Sequence, residues 1–348
     1  MKQSQEPRKL RLVKLTPAYR RQLLEMMEPW LAQEQDFSPY AIRKNDPHDF
    51  EAYLARLEVK EATPEGLVPE SVFFCLDEER DIFVGAVSIR HSLGPKNCVT
   101  GGHIGDGVRP EERRKGYATA MIGLALEECR KLGIHKVLMT CDVSNIGSAR
   151  SIEKNGGVLE SQVEEDGVLE NRYWITLGEE EILTPRTVLR REMPADFRDA
   201  FAWSGDARVY RFLLASPCRR PEDMLPWLRR QDPNSKDDYV MIIRSRTDGH
   251  AIGTVAVFRD PEGQIWTLAY NLRRDEWGKG YATEAARALI DYVRDNRGAR
   301  VIEAECAIEN TASARVMERL GMAPCRESSY RKHDGSAQFP SRVYRMEL

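Results

Sequence analysis

The sequence predicts a mixed α/β fold built twice along one chain, and three observations support this. First, the stretch RRKGYATAM at 113–121 returns as WGKGYATEA at 277–285. Second, the segment N-x-x-S-A-R follows each stretch at almost the same spacing, beginning at Asn145 and again at Asn310. Third, 348 residues exceed the length at which one hydrophobic core stops growing. We therefore expect two tandem domains, 1–180 and 181–348, each with a central mixed, mostly antiparallel sheet flanked by helices.

Hydrophobic periodicity assigns the elements of the first copy. Two helical patterns come first, at 18–33 and 49–59, and two strand patterns follow, at 71–78 and 82–93. After the basic turn, a helix, a strand, a second helix and a last strand are expected, at 118–133, 136–143, 146–155 and 171–177. The charged segment GEEEILTP at 178–185 ends in proline and is the natural linker.

The second copy repeats this order. Helical patterns occupy 197–204 and 224–231, and strand patterns occupy 239–245, 251–258 and 265–272. The repeated turn then leads to helix 282–295, strand 300–308, helix 311–320 and a last pair of strands around 328–333 and 342–348. Alternation of strands and helices behind an antiparallel front end is what predicts the mixed fold.

Composition excludes several classes of protein. No run of about 20 apolar residues is present, so we expect no membrane partner. The N-terminus has no apolar leader, and cytoplasm is the expected compartment. The seven cysteines include no C-x-x-C pair, so we expect reduced thiols and no metal. Cys141 and Cys306 fall at matching positions within apolar strands, where a small buried side chain is expected.

Charge differs between the two copies. Residues 1–180 carry 24 Lys and Arg against 30 Asp and Glu, a net of −6, while 181–348 carry 28 against 25, a net of +3. No basic block with interleaved aromatic residues appears, so we expect no nucleic-acid partner. The acidic first half mildly suits a cationic substrate.

The repeated turn has the features of an anion site. A strand leads into a basic turn and then into a helix N-terminus, where backbone N–H groups and the helix dipole favour a phosphate. Small residues at Gly116 and Ala118, and again at Gly278, Gly280 and Ala282, let the phosphate approach the main chain. No G-x-x-x-x-G-K-[ST] is present, and GDGVRP breaks the dinucleotide fingerprint at Pro110.

These residues resemble the GNAT (GCN5-related N-acetyltransferase) superfamily, whose signature at this turn is [Q/R]-x-x-G-x-[G/A]. The first copy fits it with Arg113, Gly116 and Ala118. The second has Trp277 at the first position, which departs from the signature but resembles the RimJ/RimL-like branch. The resemblance covers roughly 10–177 and 185–348. It implies an acyl-CoA N-acyltransferase that uses acetyl-CoA or another short acyl-CoA as cosubstrate.

By this resemblance, backbone amides of the turn hold the CoA pyrophosphate and the preceding strand pairs with the pantetheine arm. The implied cofactor-binding residues are Val108, Arg109, Arg113, Arg114, Lys115, Gly116, Tyr117, Ala118, Thr119, Asn145 and Ser148 in the first copy, and Leu272, Trp277, Gly278, Lys279, Gly280, Tyr281, Ala282, Thr283, Asn310 and Ser313 in the second.

Several of these roles have a simpler alternative. The cations Arg109, Arg113, Arg114 and Lys115 could meet the phosphates or form a solvated basic turn. The asparagines could bond to pantetheine or simply cap the helices that they begin. The two serines could contact CoA or lie on the helix surface, and the two tyrosines are expected to pack.

The catalytic residues are less clear from sequence. Acyl transfer needs a base for the amine, and His103 and Asp106 in the first copy are candidates. Tyr270 is the polar candidate in the second copy, where Thr267 stands in place of the glutamate that RimJ/RimL-like sequences often carry. The family often supplies a proton from a tyrosine seven positions after the asparagine. Ile152 and Met317 stand there and cannot donate.

The sequence thus predicts an enzyme that transfers acetyl from acetyl-CoA to a primary amine of a small molecule or peptide, without a covalent intermediate. The first copy is favoured for its complete signature. The alternative is a CoA-binding scaffold or sensor in which one or both copies have lost chemistry. A monomer with an internal pseudo-dimer, or a homodimer, is expected.

Overall fold

The computed structural model describes residues 9–34, 36–63, 66–95, 97–178 and 180–348. Contacts between Cα atoms divide the chain into two compact units, Met1–Gly178 and Glu179–Leu348. The sequence predicted two separate domains, 1–180 and 181–348, and this division stays a proposal. The first eight residues, on which the expectation of no leader depends, lie outside the described residues, as does residue 179 of the predicted linker.

The first unit contains seven strands and five helices among its described residues. They are β1 (Leu10–Val13), α1 (Arg20–Gln33), α2 (Tyr40–Arg43), α3 (Phe50–Arg56), β2 (Glu70–Asp77), β3 (Ile82–Arg90), β4 (Ile104–Val108), α4 (Tyr117–Lys131), β5 (Lys136–Asp142), α5 (Ile146–Lys154), β6 (Val158–Glu165) and β7 (Val168–Thr176).

The strands of the first unit form two sheets that meet at β4 and β5. One sheet has the order β1-β2-β3-β4 and the other β5-β7-β6, with every pair antiparallel. Side chains alternate between the faces of a strand, so each face builds its own core. One core holds α1, α2 and α3 against residues such as Phe74 and Ala86. The other holds α4 against residues such as Val87 and Val108.

With an added strand at its start and two early α-helices in place of three, the second unit follows a similar order of elements. They are β8 (Glu181–Leu183), β9 (Thr187–Arg191), α6 (Phe197–Ser204), α7 (Leu225–Leu228), β10 (Asp238–Ser245), β11 (Ala251–Arg259), β12 (Ile265–Leu272), α8 (Tyr281–Arg297), β13 (Val301–Ala307), α9 (Thr311–Leu320), β14 (Ala323–Arg331) and β15 (Gln338–Glu347).

One eight-stranded sheet runs through the second unit in the order β14-β15-β13-β12-β11-β10-β9-β8. Only β12 and β13 pair in parallel among these strands. The helix α8 packs apolar residues spaced three and four apart, among them Ala285, Ala286, Leu289, Ile290 and Val293, into the main core. On the opposite face, Ala200 and Trp203 of α6 pack against Ile242.

Sequence reasoning placed most elements correctly, and the differences have physical causes. Part of the predicted linker, Glu181–Leu183, is strand β8, which pairs with β9. The helix expected at 224–231 is a single turn, α7, because the backbone after Leu228 continues with bonds of the tighter 3₁₀ type, from Arg230 N–H to Trp227 O and from Gln231 N–H to Leu228 O. Strands β1, β6 and β9 were not predicted, since β1 and β9 are short and β6 is largely exposed without a buried apolar face. The central sheet expected in the first unit is two sheets.

Candidate active site

Each unit opens its sheet beside the strand that precedes the predicted turn. In the second unit, β12 and β13 pair only from Ile265 to Thr267, and the rest of both strands is not joined by a ladder. In the first unit, β4 and β5 belong to different sheets, joined where the His103 N–H donates to Leu138 O at 2.7 Å. Unpaired strand edges offer backbone donors and acceptors to a ligand. Both units therefore present a gap that a narrow chain-like ligand can fill.

A glycine in the left-handed conformation begins the helix at each gap. Gly116 has φ 87° before α4, and Gly280 has φ 84° before α8. Such φ angles favour glycine, because other residues pay a steric cost there. No described side chain caps either helix, so the first turns offer backbone N–H groups and positive dipole character. This geometry suits an anion, and the binding of one at either turn stays a prediction.

The departure of Trp277 from the family signature has a structural explanation. Arg113 donates from Nε to the carbonyl of Val108, the last residue of β4, at 3.0 Å. Trp277 donates from its indole Nε1 to the carbonyl of Leu272, the last residue of β12, at 2.9 Å. Both side chains close the turn onto the strand end with one N–H donor. The signature position therefore needs a donor of sufficient reach, and tryptophan supplies it.

Carboxylates hold most cations of the two turns. Lys115 and Lys279 each donate to a glutamate three positions earlier, Glu112 and Glu276, at 3.0 Å. Arg113 is paired with Glu34 through both terminal nitrogens, at 2.6 and 2.7 Å. Arg109 pairs with Glu111 and Arg273 with Asp275. These cations shape the turn, and their charge is already partly balanced before any phosphate binds.

The remaining residues of the turns pack around it. Arg114 lies at φ 62°, where Gly278 has φ 76° in the second unit. Tyr117 donates to Asp77 at 2.7 Å and is buried, while Tyr281 packs under the Arg186 guanidinium at 4.4 Å. Both tyrosines therefore pack, as the sequence predicted. Ala118 and Ala282 contact the cores of their units.

A pocket of about 830 Å³ lies at the gap of the second unit. The second turn lines it with Trp277, Gly278, Gly280, Tyr281, Ala282 and Thr283, and the start of α9 lines it with Asn310 and Ser313. Leu272 and Tyr270 of β12 also line it, as do Ala207, Arg208, Val209, Arg211, Phe212 and Leu213 from the segment that follows α6. All the predicted cofactor-binding residues of this copy except Lys279 therefore meet around one cavity.

Charges in this pocket favour an anionic ligand. The pocket is lined by four arginines and only two carboxylates. The arginines are Arg208, Arg211, Arg315 and Arg319, and the carboxylates are Glu276 and Glu309. Glu309 pairs with Arg211 at 3.1 Å. The hydroxyl of Thr283, beside the turn, is buried without a hydrogen-bond partner among the described residues. Guanidinium groups and an unpartnered hydroxyl next to a helix N-terminus suit a phosphate.

The two asparagines cap the helices that they begin. Asn145 accepts the Ser148 N–H at 3.0 Å, and Asn310 accepts the Ser313 N–H at 3.2 Å. The structure thus shows the capping role for both side-chain oxygens. Asn310 also lines the pocket, so contact with a bound ligand stays a prediction for its amide nitrogen.

The three predicted catalytic residues lie in different environments. His103 is fully buried, and its Nδ1 accepts the Leu138 N–H at 2.9 Å where the two sheets meet. This position fits a residue that joins two strands, and a role as base stays a prediction. Asp106 is half-buried on β4, and burial raises the pKa of its carboxyl to about 6. Tyr270, the matching residue of β12, hydrogen-bonds through its hydroxyl to the Ser313 hydroxyl at 2.8 Å.

The residues at the family's tyrosine position belong to the cores. Ile152 is fully buried against α4, and Met317 is buried against α8. Neither side chain reaches a gap with a polar group. The proton for a leaving thiolate has to come from elsewhere, as the sequence indicated.

The two units differ most on the helix-covered face of the gap, which we call the acceptor face: the side of β4 and β12 toward α1 and α6. In the first unit, a Cβ atom on Gly107 would lie 1.8 Å from Ser38 O and 3.1 Å from the Trp30 ring. The segment around Ser38 therefore lies directly on β4. In the second unit, Thr267 and Ala269 on the same face of β12 are exposed.

Sequence reasoning missed Asn271. This residue lies on the acceptor face of β12, lines the pocket, and has a buried Oδ1 without a hydrogen-bond partner among the described residues. Its matching residue is Gly107, because Gly107 stands as far before Gly116 as Asn271 stands before Gly280. When the two copies are aligned, the second has a polar residue, Asn271, where the first has glycine. That difference was the signal that could have identified Asn271 from the sequence.

Fold, turn and pocket together form a site whose helix N-terminus, arginines and open strand edge suit a phosphate-bearing ligand. The sequence model described as an acetyltransferase (GNAT) domain matches residues 9–158 and 186–323. The chain belongs to the GNAT acetyltransferase family, and both repeats carry the domain. This confirms the resemblance and the enzyme class expected from sequence. The assignment of the second copy to the RimJ/RimL-like branch stays a prediction.

Two relatives and one solved structure show how far the similarity extends. The chain is 29% identical over 145 residues to the uncharacterized N-acetyltransferase p20 of Bacillus licheniformis, which covers 40% of this chain and 81% of the relative. It is 24% identical over 151 residues to YnaD of Bacillus subtilis, another uncharacterized N-acetyltransferase, covering 43% and 86%. A GNAT-family acetyltransferase structure from Bacillus anthracis covers 48% of this chain and 98% of its own, with 20% identity and a TM-score of 0.43.

Two kinds of feature are absent from the described residues. Within them, no group of three or more His, Cys, Asp or Glu residues is arranged to hold a metal ion. In the same part of the chain, no helix has the length and apolar character needed to cross a membrane.

Proposed function

We propose that the second unit transfers the acetyl group of acetyl-CoA to a primary amine by direct attack, without an acyl-enzyme. The observation that carries this proposal is the 830 Å³ pocket, which joins an anion-binding turn to an unpaired strand edge and an open acceptor face. A transferase needs both substrates in contact at one point, and the gap between β12 and β13 connects the two sides of the sheet.

The pocket has a place for each part of acetyl-CoA. The pyrophosphate fits the N-terminus of α8, where Thr283 offers its unpartnered hydroxyl and the Gly278–Gly280 turn offers backbone amides. Arg315 and Arg319 on α9 face the same cavity and suit the remaining phosphate. The pantetheine amides fit along β12 beyond Thr267, where its edge toward β13 has no ladder.

The reaction balances with no group beyond the two substrates. The nitrogen of a neutral amine attacks the thioester carbonyl carbon, a C–N bond forms, and the C–S bond breaks. Overall, the proton that the nitrogen loses is the one that the CoA thiolate gains. Tyr270, which lies in the pocket wall with its hydroxyl on Ser313, is our candidate for relaying it: Tyr270 gives its O–H proton to the thiolate and recovers one from the nitrogen.

The first unit is not the proposed catalyst, although its complete signature favoured it from sequence. Its turn has the same geometry as the second, but Ser38 and Trp30 cover the acceptor face of β4. An amine approaching from that face would have to displace a buried tryptophan that stacks on Phe37 at 4.3 Å. The alternative of a CoA-binding scaffold or sensor therefore applies best to this unit.

Acetyl-CoA titration and an assay of CoA release test the proposal. In calorimetry, the wild-type protein should bind acetyl-CoA. In the second experiment, free thiol should appear faster when a primary amine such as spermidine or n-butylamine is added. An acetylated amine should be detected by mass spectrometry in the same sample. Binding without any amine-dependent thiol release would favour the scaffold, and no binding would remove the acyltransferase proposal altogether.

A further inference from the structure

Three polar side chains form a row across the acceptor face of the second unit: Glu192, Thr254 and Asn271, which we call the polar row. Thr254 and Asn271 are direct partners in the antiparallel pairing of β11 and β12, so their side chains lie on the same face. Glu192 follows β9, and its backbone N–H donates to Val240 O on β10. Its carboxylate accepts the Thr254 hydroxyl at 3.4 and 3.5 Å, reaching across the intervening strand.

The matching row of the first unit is apolar. There, strand register pairs Val13 with Phe74, Phe74 with Ala86, and Ala86 with Gly107. The second unit pairs Arg190 with Ile242, Ile242 with Thr254, and Thr254 with Asn271. Leu15 follows Val13 by two positions, as Glu192 follows Arg190. The positions of the polar row therefore correspond to Leu15, Ala86 and Gly107.

The row is apolar where other residues cover it, in the first unit, and polar where it reaches the pocket, in the second. Leu15 and Ala86 belong to the core under α1, and Ser38 covers Gly107. The polar row ends at Asn271 in the pocket, where the Asn271 Oδ1 is buried without a partner among the described residues. Buried acceptors are rarely left without a donor in folded proteins, because the lost hydration is not replaced. A ligand that donates an N–H at this point would replace it.

Hydrogen bonding fixes what the row presents to a ligand. When ionised, Glu192 accepts the Thr254 O–H, which leaves the Thr254 oxygen with lone pairs on the side of its strand partner Asn271. Asn271 Oδ1 lines the pocket, and the buried Thr254 lies behind it as a second acceptor, an arrangement that suits a donor with several N–H bonds. Such a donor is a primary amine or its ammonium form. A hydroxyl, which has one hydrogen, would satisfy only one of them.

We propose that the polar row is the subsite for the acceptor amine of the transfer reaction. Asn271 contacts the amine through Oδ1, and Glu192 is a positioning residue that acts through Thr254. The inference rests on the proposed function of the second unit. It adds the residues that recognise the nitrogen and the reason why this copy accepts an amine while the other does not.

Other charged groups around Glu192 have partners of their own. Arg190, on the same strand, pairs with Asp196 at 2.6 and 2.8 Å, and Arg244 of β10 also reaches Asp196. The Tyr210 ring lies near Glu192 from the segment that follows α6. Burial, with repulsion from Asp196, raises the pKa of the Glu192 carboxyl to about 8. Its charge therefore changes within the working pH range of an enzyme.

The Asn271→Ala variant tests the contact. The Asn271 Oδ1 has no partner among the described residues, so its loss should leave the fold intact, which circular dichroism checks. Acetyl-CoA affinity by calorimetry should stay within about twofold of wild type, because the phosphate sites are untouched. With spermidine or n-butylamine as probe, kcat/KM should fall roughly 10- to 100-fold, mostly through KM, as expected for a lost hydrogen bond to a charged group. Asn296→Ala, at an exposed position of α8, is the matched control.

Glu192 variants test the positioning role. In Glu192→Gln the side-chain oxygen still accepts the Thr254 O–H, so activity should persist, but the change of kcat/KM with pH that centres near 8 should disappear. Glu192→Leu removes the acceptor, and the KM of the amine should rise as in Asn271→Ala.

The failures are distinguishable. An unchanged KM in Asn271→Ala, together with wild-type turnover of the amine, would overturn the polar row as the subsite and leave the transferase proposal standing. Acetyl-CoA binding with no turnover of either amine by wild type would overturn both.

Discussion

Strands β4 and β12 occupy the same place in the two units, yet they meet their surroundings differently. Both precede a left-handed glycine and both run beside an opened sheet. On β4, glycine at 107 allows the main chain of Ser38 to pack against the strand. On β12, Asn271 takes that position and Ala269 is exposed. Two turns of the same geometry are therefore followed by acceptor faces of different access, and in our proposal only the open face of β12 admits the second substrate.

The largest expected effect comes from removing the cover of the first unit. Trp30 is fully buried, stacks on Phe37 and contacts the Gly107 region. Trp30→Ala should cost about 3–5 kcal/mol of unfolding free energy in this unit, as for other large buried aromatics. Urea unfolding followed by circular dichroism measures it. Amine-dependent CoA release should not fall at temperatures where the variant remains folded. A loss of turnover in the folded protein would contradict the assignment of catalysis to the second unit.

Exchanging the matched residues of the two strands sharpens the comparison. Gly107→Asn forces a Cβ atom to within 1.8 Å of the Ser38 carbonyl, so backbone has to move. We expect a loss of about 1–3 kcal/mol in stability, or more, from this overpacking. Asn271→Gly removes an unpartnered side chain and should change stability by less, since its cost is mainly the added backbone freedom. Equal losses in thermal or urea unfolding would show that the two faces are covered alike.

Glu192 gives the second unit a pH dependence that Leu15 does not give the first. The folded-state pKa of its carboxyl is about 8, above the ordinary value of 4.5. Between these values the folded protein keeps a proton that the unfolded chain releases, so stability should fall as pH rises from about 5 to 8. We expect a decrease of a few kcal/mol at most. Glu192→Gln should flatten this part of the curve, as measured by urea unfolding at several pH values. An unchanged slope in the variant would assign the dependence to other groups.

The smallest effect is expected at the signature position of the turn. Trp277→Arg should change stability by less than about 1 kcal/mol, because arginine can donate to the Leu272 carbonyl as Arg113 does to Val108. Acetyl-CoA affinity should stay close to that of wild type in calorimetry. Trp277→Ala, which has no donor, is the control that should weaken binding more. If alanine and arginine behave alike, the shared hydrogen bond does not shape the turn.

Much of this fold was readable from the sequence because the repeat is local and strong. The helices α4, α5, α8 and α9 follow from apolar spacing and from their glycine or asparagine starts, and the structure confirms them. Cys141 and Cys306 are buried on matching strands, as expected. Strands β1, β8 and β9 were missed, since such short strands give too little pattern to distinguish from a loop.

The candidate site was predictable only on its cosubstrate side. The turn residues carry a motif whose spacing is visible along the chain. The acceptor face is assembled from Glu192, Thr254 and Asn271, which belong to separate segments of the chain and become neighbours only through strand register. Ser38 and Gly107 are likewise distant along the chain and pack together only in the folded structure. Asp106 and Tyr270, both singled out from the sequence, do occupy matching positions, because each stands equally far before the glycine of its own turn.

The central claim is that transfer depends on the turn of the second unit and not on that of the first. Gly116→Trp and Gly280→Trp each place a large side chain at a left-handed glycine that begins a phosphate-binding helix, so each should block one turn. The most direct measurement is amine-dependent CoA release by the two variants at saturating acetyl-CoA. The account predicts that Gly116→Trp keeps turnover within about twofold and that Gly280→Trp loses nearly all of it. Loss of turnover in Gly116→Trp with retention in Gly280→Trp would contradict it.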